Sequence, residues 1–399
     1  MRKKSPAVKK RNRTIWEHWP IDIINNILCQ LPAKCLIRYK SVSKEWNALI
    51  TQDSYFINSH LQQQAANDIS LILVDRERSN CLYSVDLYSF DSFDTVASCL
   101  KLPTNITEVV GSCNGLILAL AKSETHKDHL LLCNISTQEY KILPNPLPSK
   151  ISGFYGFGYD SINDDYKILR IQHEQSLYPH APIYKTQVYS LRGNTWREVR
   201  GKNPYRICIR VQPRALNSSI NGAVHWLGVN SICPPLYATL IVAFDLGTGN
   251  SRKVPLLEGM IGGRMCLRTL GILGGCLCVT TCPCDFLSCS ELDFWVMEDY
   301  MVKESWTKLF TIVQHGKSPL KPLAYDDELV LIQENGDVFW YDYETKEKFE
   351  ANHGLSELGN RFKLQGVICS RTLVSLSAYG DAVIETPATS NHNKRIKAC

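Results

Sequence analysis

The stretch from Trp19 to Phe56 reads WPIDIINNILCQLPAKCLIRYKSVSKEWNALITQDSYF, which packs three short amphipathic helices into a segment too small to bury its own apolar face. Pro20 sits where a helix start tolerates proline, and Ile24, Ile27, Leu28 and Leu31 follow at i, i+3, i+4 and i+7 as one apolar stripe. Pro32 blocks further helix, a second turn carries Leu36 and Tyr39, and a third run places Val42, Trp46, Leu49 and Ile50 at helical spacing. Domains below roughly 40 residues usually need a metal, disulfides or association to be stable. This segment has neither paired cysteines nor metal-ligand spacing, so association remains: the oily side of the three helices is expected to stay uncovered by its own chain and to receive a partner. The alternative is a helical hairpin whose stripes face the rest of this protein.

With 399 residues and 44% hydrophobic content, the chain has room for such a module plus one large domain or two medium ones. The formal charge of +5 is concentrated at the ends. Arg2, Lys3, Lys4, Lys9, Lys10, Arg11 and Arg13 precede any acid, and Lys394, Arg395 and Lys397 lie in the tail from Ala388. Without these, the body from Thr14 to Pro387 carries a net charge near −5, which is no footprint for gripping nucleic-acid phosphates. The N-terminal basic run reads either as a nuclear import signal or as a solvated arm. No apolar h-region follows it, and the longest apolar stretch, near Leu270 to Val279, is too short to span a bilayer. The expected location is cytoplasmic, nuclear or both, where the 16 cysteines would be mostly free buried thiols.

After a polar segment, Gln62 to Asn67, the texture changes to short β-branched and aromatic runs broken by Gly, Asn and Asp. Strands are expected at Leu130 to Ile135, Gln187 to Leu191, Leu240 to Leu246, Leu292 to Met297 and Val338 to Tyr341. Each then turns into a second strand marked by Tyr140, Trp196, Ser251, Trp306 and Phe349, separated by 56, 55, 55 and 43 residues. That period, with several strands per unit, is what a blade repeat produces. Asn114-Gly115, Asn221-Gly222, Gly274-Gly275 and Asn335-Gly336 stand before apolar strands and fit tight turns with positive φ. The hairpin from Gly156 to Ile171 adds a strand pair, while Ser70 to Phe90 and Gly366 to Ser377 supply the first and last clusters. About six blades result, with the terminal clusters closing the ring; a β-sandwich is the structural alternative.

Candidate chemistry is sparse. Cys276, Cys278, Cys282, Cys284 and Cys289 are dense, but the C-x-C pairs fall in strand-like sequence and the C-x2-C zinc spacing is missing. Gly111 to Gly115 superficially matches a nucleophile elbow centred on Cys113, yet a strand follows where a helix is required. Asn163, Asp164 and Asp165 read as a loop without the remaining ligands of a calcium site. Trp196, Trp226, Trp295, Trp306 and Trp340 recur beside strands, as blade packing would place them.

The positions Pro20, Asp22, Ile27-Leu28, Leu31-Pro32, Leu36, Val42-Ser43-Lys44 and Trp46 together resemble the F-box, the helical motif that docks on the Skp-type adaptor of a cullin-based ubiquitin ligase. Trp19 stands where that family commonly has leucine. The segments GSCNGLILAL, NISTQEYKILP, GFGYDSINDDYKILRI, VYSLRGNTWREV, NGAVHWLG and VAFDLGTGNSRKVPL resemble the F-box-associated, kelch-related domain of a large plant family that includes the S-locus F-box proteins. Strict kelch repeats differ, since double glycine precedes a strand clearly only at Gly274-Gly275.

The resemblance implies an α+β multidomain chain: a basic disordered arm (1–14), a three-helix F-box (15–60), a linker (61–68), an all-β, kelch-like propeller of about six blades (69–380) and a disordered tail (381–399). It further implies a substrate-recognition subunit of a Skp-cullin-F-box ubiquitin ligase, docking on the adaptor through Pro20, Ile24, Ile27, Leu28, Leu31, Pro32, Leu36, Val42 and Trp46. The β-domain would bind a target protein. No catalytic residue, cofactor, metal, nucleic acid or membrane partner is expected. A non-degradative scaffold and a propeller that binds or turns over a small ligand are the two other function classes.

Overall fold

The computed structural model describes residues 20–64, 67–75, 80–87, 98–122, 128–146, 153–174, 183–199, 205–208, 215–216, 218–229, 239–260, 265–283, 291–313, 319–325, 328–335, 337–350 and 364–379. The basic N-terminal run, Trp19, Asn217, Cys284, Cys289, Gly336 and the tail from Ala388 lie outside the described residues.

The helical module has four helices where three were expected: α1 (Ile21–Cys29), α2 (Ala33–Tyr39), α3 (Lys44–Gln52) and α4 (Ser54–Gln64). Pro20 and Pro32 cap α1 and α2, each with φ −57°, because a fixed φ and a missing N–H cost little where a helix begins. The Ser43 hydroxyl accepts the Trp46 N–H at 3.2 Å, so α3 starts after Val42 and leaves that residue in the preceding turn. Asp53 likewise accepts the Phe56 N–H at 2.9 Å to start α4. Helix α4 runs to Gln64, inside the stretch expected as linker. Its sequence is mostly polar; only Phe56 and His60, one turn apart, are buried, too narrow a stripe for periodicity alone to reveal.

Six sheets follow as blades, antiparallel except where the short strand Ala215–Leu216 joins blade 3. Blade 1 holds β1 (Ile69–Asp75), β2 (Cys81–Asp86) and β3 (Ser98–Lys101). Blade 2 holds β4 (Asn105–Cys113), β5 (Leu116–Lys122), β6 (Asp128–Asn134) and β7 (Glu139–Leu143). Blade 3 holds β8 (Phe154–Asp160), β9 (Asp165–Glu174), β10 (Ile183–Ser190) and β11 (Thr195–Glu198). The crossing stretch gives β12 (Arg206–Ile207) to blade 4 and β13 (Ala215–Leu216), parallel to β8, to blade 3. Blade 4 continues with β14 (Ser218–Ile220), β15 (Ala223–Val229), β16 (Leu240–Asp245) and β17 (Ser251–Val254). Blade 5 holds β18 (Met265–Leu273), β19 (Cys276–Pro283), β20 (Glu291–Met297) and β21 (Trp306–Val313). Blade 6 holds β22 (Lys321–Tyr325), β23 (Leu329–Glu334), β24 (Asp337–Asp342) and β25 (Lys348–Glu350). Last, β26 (Leu364–Ser370) returns to blade 1 and pairs antiparallel with β1, from Ile69 opposite Ser370 to Asp75 opposite Leu364.

The expected five-fold recurrence corresponds to third and fourth strands of blades 2 to 6, and the aromatic markers open or follow the opening of the fourth. The turn between them repeats for a physical reason. Asn134, Ser190, Asp245 and Asp342 end third strands, and each side-chain oxygen accepts a main-chain N–H two or three residues on. Gln138, Asn194, Gly249 and Lys346, at the far side of those turns, all have positive φ. The tryptophan indoles add inter-blade ties: Trp196 donates to the Pro144 carbonyl at 2.7 Å and Trp306 to the Pro255 carbonyl at 2.8 Å. Asn335 differs from the other turn residues it was grouped with, because it joins the second and third strands of blade 6 and lies on the opposite face of the ring.

Inner strands are apolar on both sides because both sides are covered. In β1, Ile72 and Val74 enter the core between blades 1 and 2, while Leu71 and Leu73 enter the core between blades 6 and 1. Four further clusters fill the remaining gaps between blades. The cysteine-rich strand β19 follows the same logic: Cys278 and Cys282 are buried in the core between blades 5 and 6, with Cys276 packed against it.

Gly115 sits in the β4–β5 turn at φ +81°, and a Cβ there would lie 2.1 Å from the Thr372 hydroxyl; Gly275, at φ +77°, has nothing within 4 Å. Gly115→Ala should therefore cost more stability than Gly275→Ala by at least about 1 kcal/mol, since both carry backbone strain but only the first also collides. Urea denaturation of the two variants checks this, and equal losses would refute it.

Candidate functional site

The module's inner face is built by Ile24, Leu28, Cys29, Ala33, Leu36, Ile50 and Phe56, and it is closed by Leu373 from the segment after β26. The sequence-derived docking set therefore divides. Ile24 (8% exposed), Leu28 (3%) and Leu36 (0%) face inward, so this part of the stripe is covered by the chain itself, contrary to the expectation that it stays open. Leu31 and Trp46 are half-buried at its margin. Pro20, Ile27 (47% exposed), Pro32 and Val42 (55%) face outward.

Three further residues on the outer side escaped the periodicity argument: Ile21, Ile23 and Tyr39 are also exposed. A signal was present, because α1 carries Ile21, Ile23, Ile24, Ile27 and Leu28 in nine residues, too many for one face. Pro20, Ile23 and Ile27, spaced i, i+3 and i+7, form the outer stripe, and the Tyr39 ring meets the Trp46 ring edge-on at 5.8 Å between centroids. Exposed isoleucines in this density, on a module whose inner face is already filled, mark a surface suited to burial against another protein.

The module is fixed to the ring rather than tethered. The Asp68 carboxylate accepts the Ala33 N–H at the head of α2 (2.9 Å) and meets the Arg371 guanidinium at 3.1 Å. The Asp68 carbonyl accepts the Arg371 N–H at 2.7 Å, and the same guanidinium lies 3.1 Å from Asp86 of β2. Ile57 and Leu61 of α4 pack against the core between blades 2 and 3. Burial lowers the Lys40 pKa at the end of α2, and the nearby Glu139 carboxylate at the start of β7 partly offsets it.

This attachment occupies the face that carries the first-to-second and third-to-fourth strand turns, where Asn114 and Asn134 both bond the 371–379 segment. On the opposite face, strand ends that are far apart in sequence lie side by side: Glu174 with Ile183, Val229 with Leu240 and Pro283 with Glu291; on the helix side the described strands include one such pair, Asp86 with Ser98.

The described interior offers ties rather than reactive groups. Cys113 lies in the β4–β5 hairpin, with a strand rather than a helix after it, and burial pushes its thiol up to about 12, which keeps it protonated and a poor nucleophile. Asp160 accepts the Lys167 ammonium and the Asn163 amide, both at 2.6 Å, and Lys167 also donates to the Leu246 carbonyl at 2.8 Å; the acidic turn thus joins blades 3 and 4. His225 bonds the Ser218 carbonyl at 3.0 Å and the Tyr300 hydroxyl at 2.8 Å, and burial lowers it to about 4.

Residues 16–58 match the F-box domain, and residues 70–352 match the F-box associated beta propeller domain. The F-box protein CPR1 of Arabidopsis thaliana is 36% identical over 360 residues, which cover 82% of each chain. An F-box/kelch-repeat protein of the same organism is 27% identical over 334 residues, 79% of this chain and 85% of that one.

His60 supplies a pH handle on the module. Its Nε2 lies 2.9 Å from the Leu31 carbonyl, which can only accept, so Nε2 carries the hydrogen; Nδ1 is buried without a hydrogen-bond partner among the described residues. Burial lowers its pKa. The unfolded imidazole protonates near about 6.5, before the folded one, so stability is full above that pH and is lost as pH falls below it. His60→Gln should lose less stability than the parent between pH 7.5 and 5.5 in urea titrations; identical losses would show that His60 titrates normally.

Proposed function

We propose, for a chain that belongs to the family of F-box proteins with an F-box-associated β-propeller domain, that it is the substrate-recognition subunit of a Skp-cullin-F-box ubiquitin ligase. The helical module docks on the Skp-type adaptor, and through it a cullin, while the propeller holds a target protein. The observation that carries this reading is the outward apolar surface of α1 and the α2–α3 turn on a module whose inner core is complete. Within the docking set, Pro20, Ile27, Pro32 and Val42 supply contact, Leu31 and Trp46 line the margin, and Ile24, Leu28 and Leu36 hold the surface in shape from beneath.

The mechanism is proximity. Fixing an acceptor lysine near the charged conjugating enzyme raises its effective concentration, and the transfer chemistry belongs to that enzyme. The propeller face away from the helices is the side we assign to target recognition, because it is free of the helical module and most of the strand ends widely separated in sequence, such as Glu174 and Ile183 or Val229 and Leu240, lie there. The complex works in the cytoplasm, the nucleus or both.

In the full chain, Ile27→Asp and the double substitution Leu31→Ala with Pro32→Ala should each weaken binding of a recombinant Skp-type adaptor by at least about tenfold, as loss of a buried apolar anchor does. Ile142→Asp, on an exposed position of β7, should leave it unchanged. Unaltered affinity in both module variants, measured by calorimetry, would remove the assigned interface. If target half-life proves independent of the module while adaptor and target both bind, a scaffolding role replaces the degradative one.

A further inference from the structure

The segment from Arg371 to Tyr379 is bonded at nearly every step, yet it belongs to no blade. Arg371 is held by Asp68, Thr372 donates to the Asn114 carbonyl at 2.9 Å, and Asn134 donates to the Val374 carbonyl at 2.8 Å. Glu139 accepts the Ser375 hydroxyl at 3.1 Å and the Leu376 N–H at 2.9 Å. Between these ties Leu373, 2% exposed, enters the core of the helical module beside Ile24, Leu28 and Leu36. The module thus draws one of its core side chains from residue 373, more than 300 positions after its own last helix begins.

Leu373 follows Ser370, the last residue of β26, by three positions, and three residues span at most about 11 Å even when fully extended. Leu373 therefore reaches the module only while the end of β26 at Ser370 stays close to its place beside Ile69 of β1. A core of this size has little apolar area to spare, and an absent leucine leaves a cavity on the side opposite the outer stripe.

We propose that closure of the propeller ring is what completes the helical module: the 371–379 strap acts as a folding interlock, so that a chain whose last strand has not docked presents an unfinished adaptor-binding surface. This rests on the adaptor reading above. The consequence is that the ligase machinery would recruit receptors whose target-binding domain is already assembled, without any separate sensor.

The test is hydrogen–deuterium exchange on the full chain with Leu373→Ala, Leu373→Met and Asp68→Ala, paired with affinity for a recombinant Skp-type adaptor. Leu373→Ala should speed exchange of amides 24–37 by at least about tenfold while β5 stays as protected as in the parent, because a buried leucine truncation raises local opening without touching the blades. Adaptor affinity should fall with it, and Leu373→Met should restore both. Asp68→Ala, which removes the carboxylate that links the Ala33 N–H of α2 to the Arg371 guanidinium of the strap, should give the same pattern. Helices as protected in Leu373→Ala and Asp68→Ala as in the parent would overturn the interlock. Failure of the parent chain to bind the adaptor would instead overturn the adaptor reading, with the exchange result still deciding the interlock.

Discussion

Seven residues at the start of the β region lie antiparallel to seven near its end, and the rest of the architecture depends on that ladder. Pairing β1 with β26 turns an open row of blades into a ring and removes the exposed strand edge that an unclosed row would leave. Two side chains reinforce it. Ser70 donates to the Cys369 carbonyl at 3.1 Å, and the Gln365 amide bonds both main-chain groups of Val109 at 2.8 Å, tying the last strand to blade 2. Because Ile72 and Val74 face one gap and Leu71 and Leu73 the other, the ladder also completes two of the six inter-blade cores.

Such a closure joins residues about 300 positions apart, so its loop-closure entropy is large in absolute terms, though it grows only slowly with length. The offset comes from burial on both sides of the inner strands of the blades rather than from any single strong contact. Polar groups gather in turns, where short side chains accept main-chain N–H groups, in pairs within a blade such as Arg170 with Gln187, and in inter-blade ties such as Lys167 with the Leu246 carbonyl.

The helical module shares this frame through Asp68, Arg371 and Leu373. A receptor that works by positioning benefits from a junction with hydrogen bonds, an ion pair and a shared core, since a slack tether would dilute the effective concentration that proximity supplies. The junction also explains why the inner and outer faces of α1 have different fates. Ile24 and Leu28 serve the fold, and Ile27, one position from Leu28, faces outward.

Much was determined by the sequence itself: helix starts at Pro20, Pro32 and Ser43, the alternation that makes strands, the roughly 55-residue period and the positive-φ turns at Asn114-Gly115, Asn221-Gly222 and Gly274-Gly275 are all short-range patterns set by sterics and local hydrogen bonding. Helix α4 was hidden because its polar surface leaves only Phe56 and His60 as an inward signal. Which face of α1 is covered, that β26 closes on β1, and that Leu373 finishes a core begun at Ile24 were decided only by tertiary structure. Those outcomes hinge on contacts between residues hundreds of positions apart, and apolar periodicity records that a side chain wants burial without recording what will bury it.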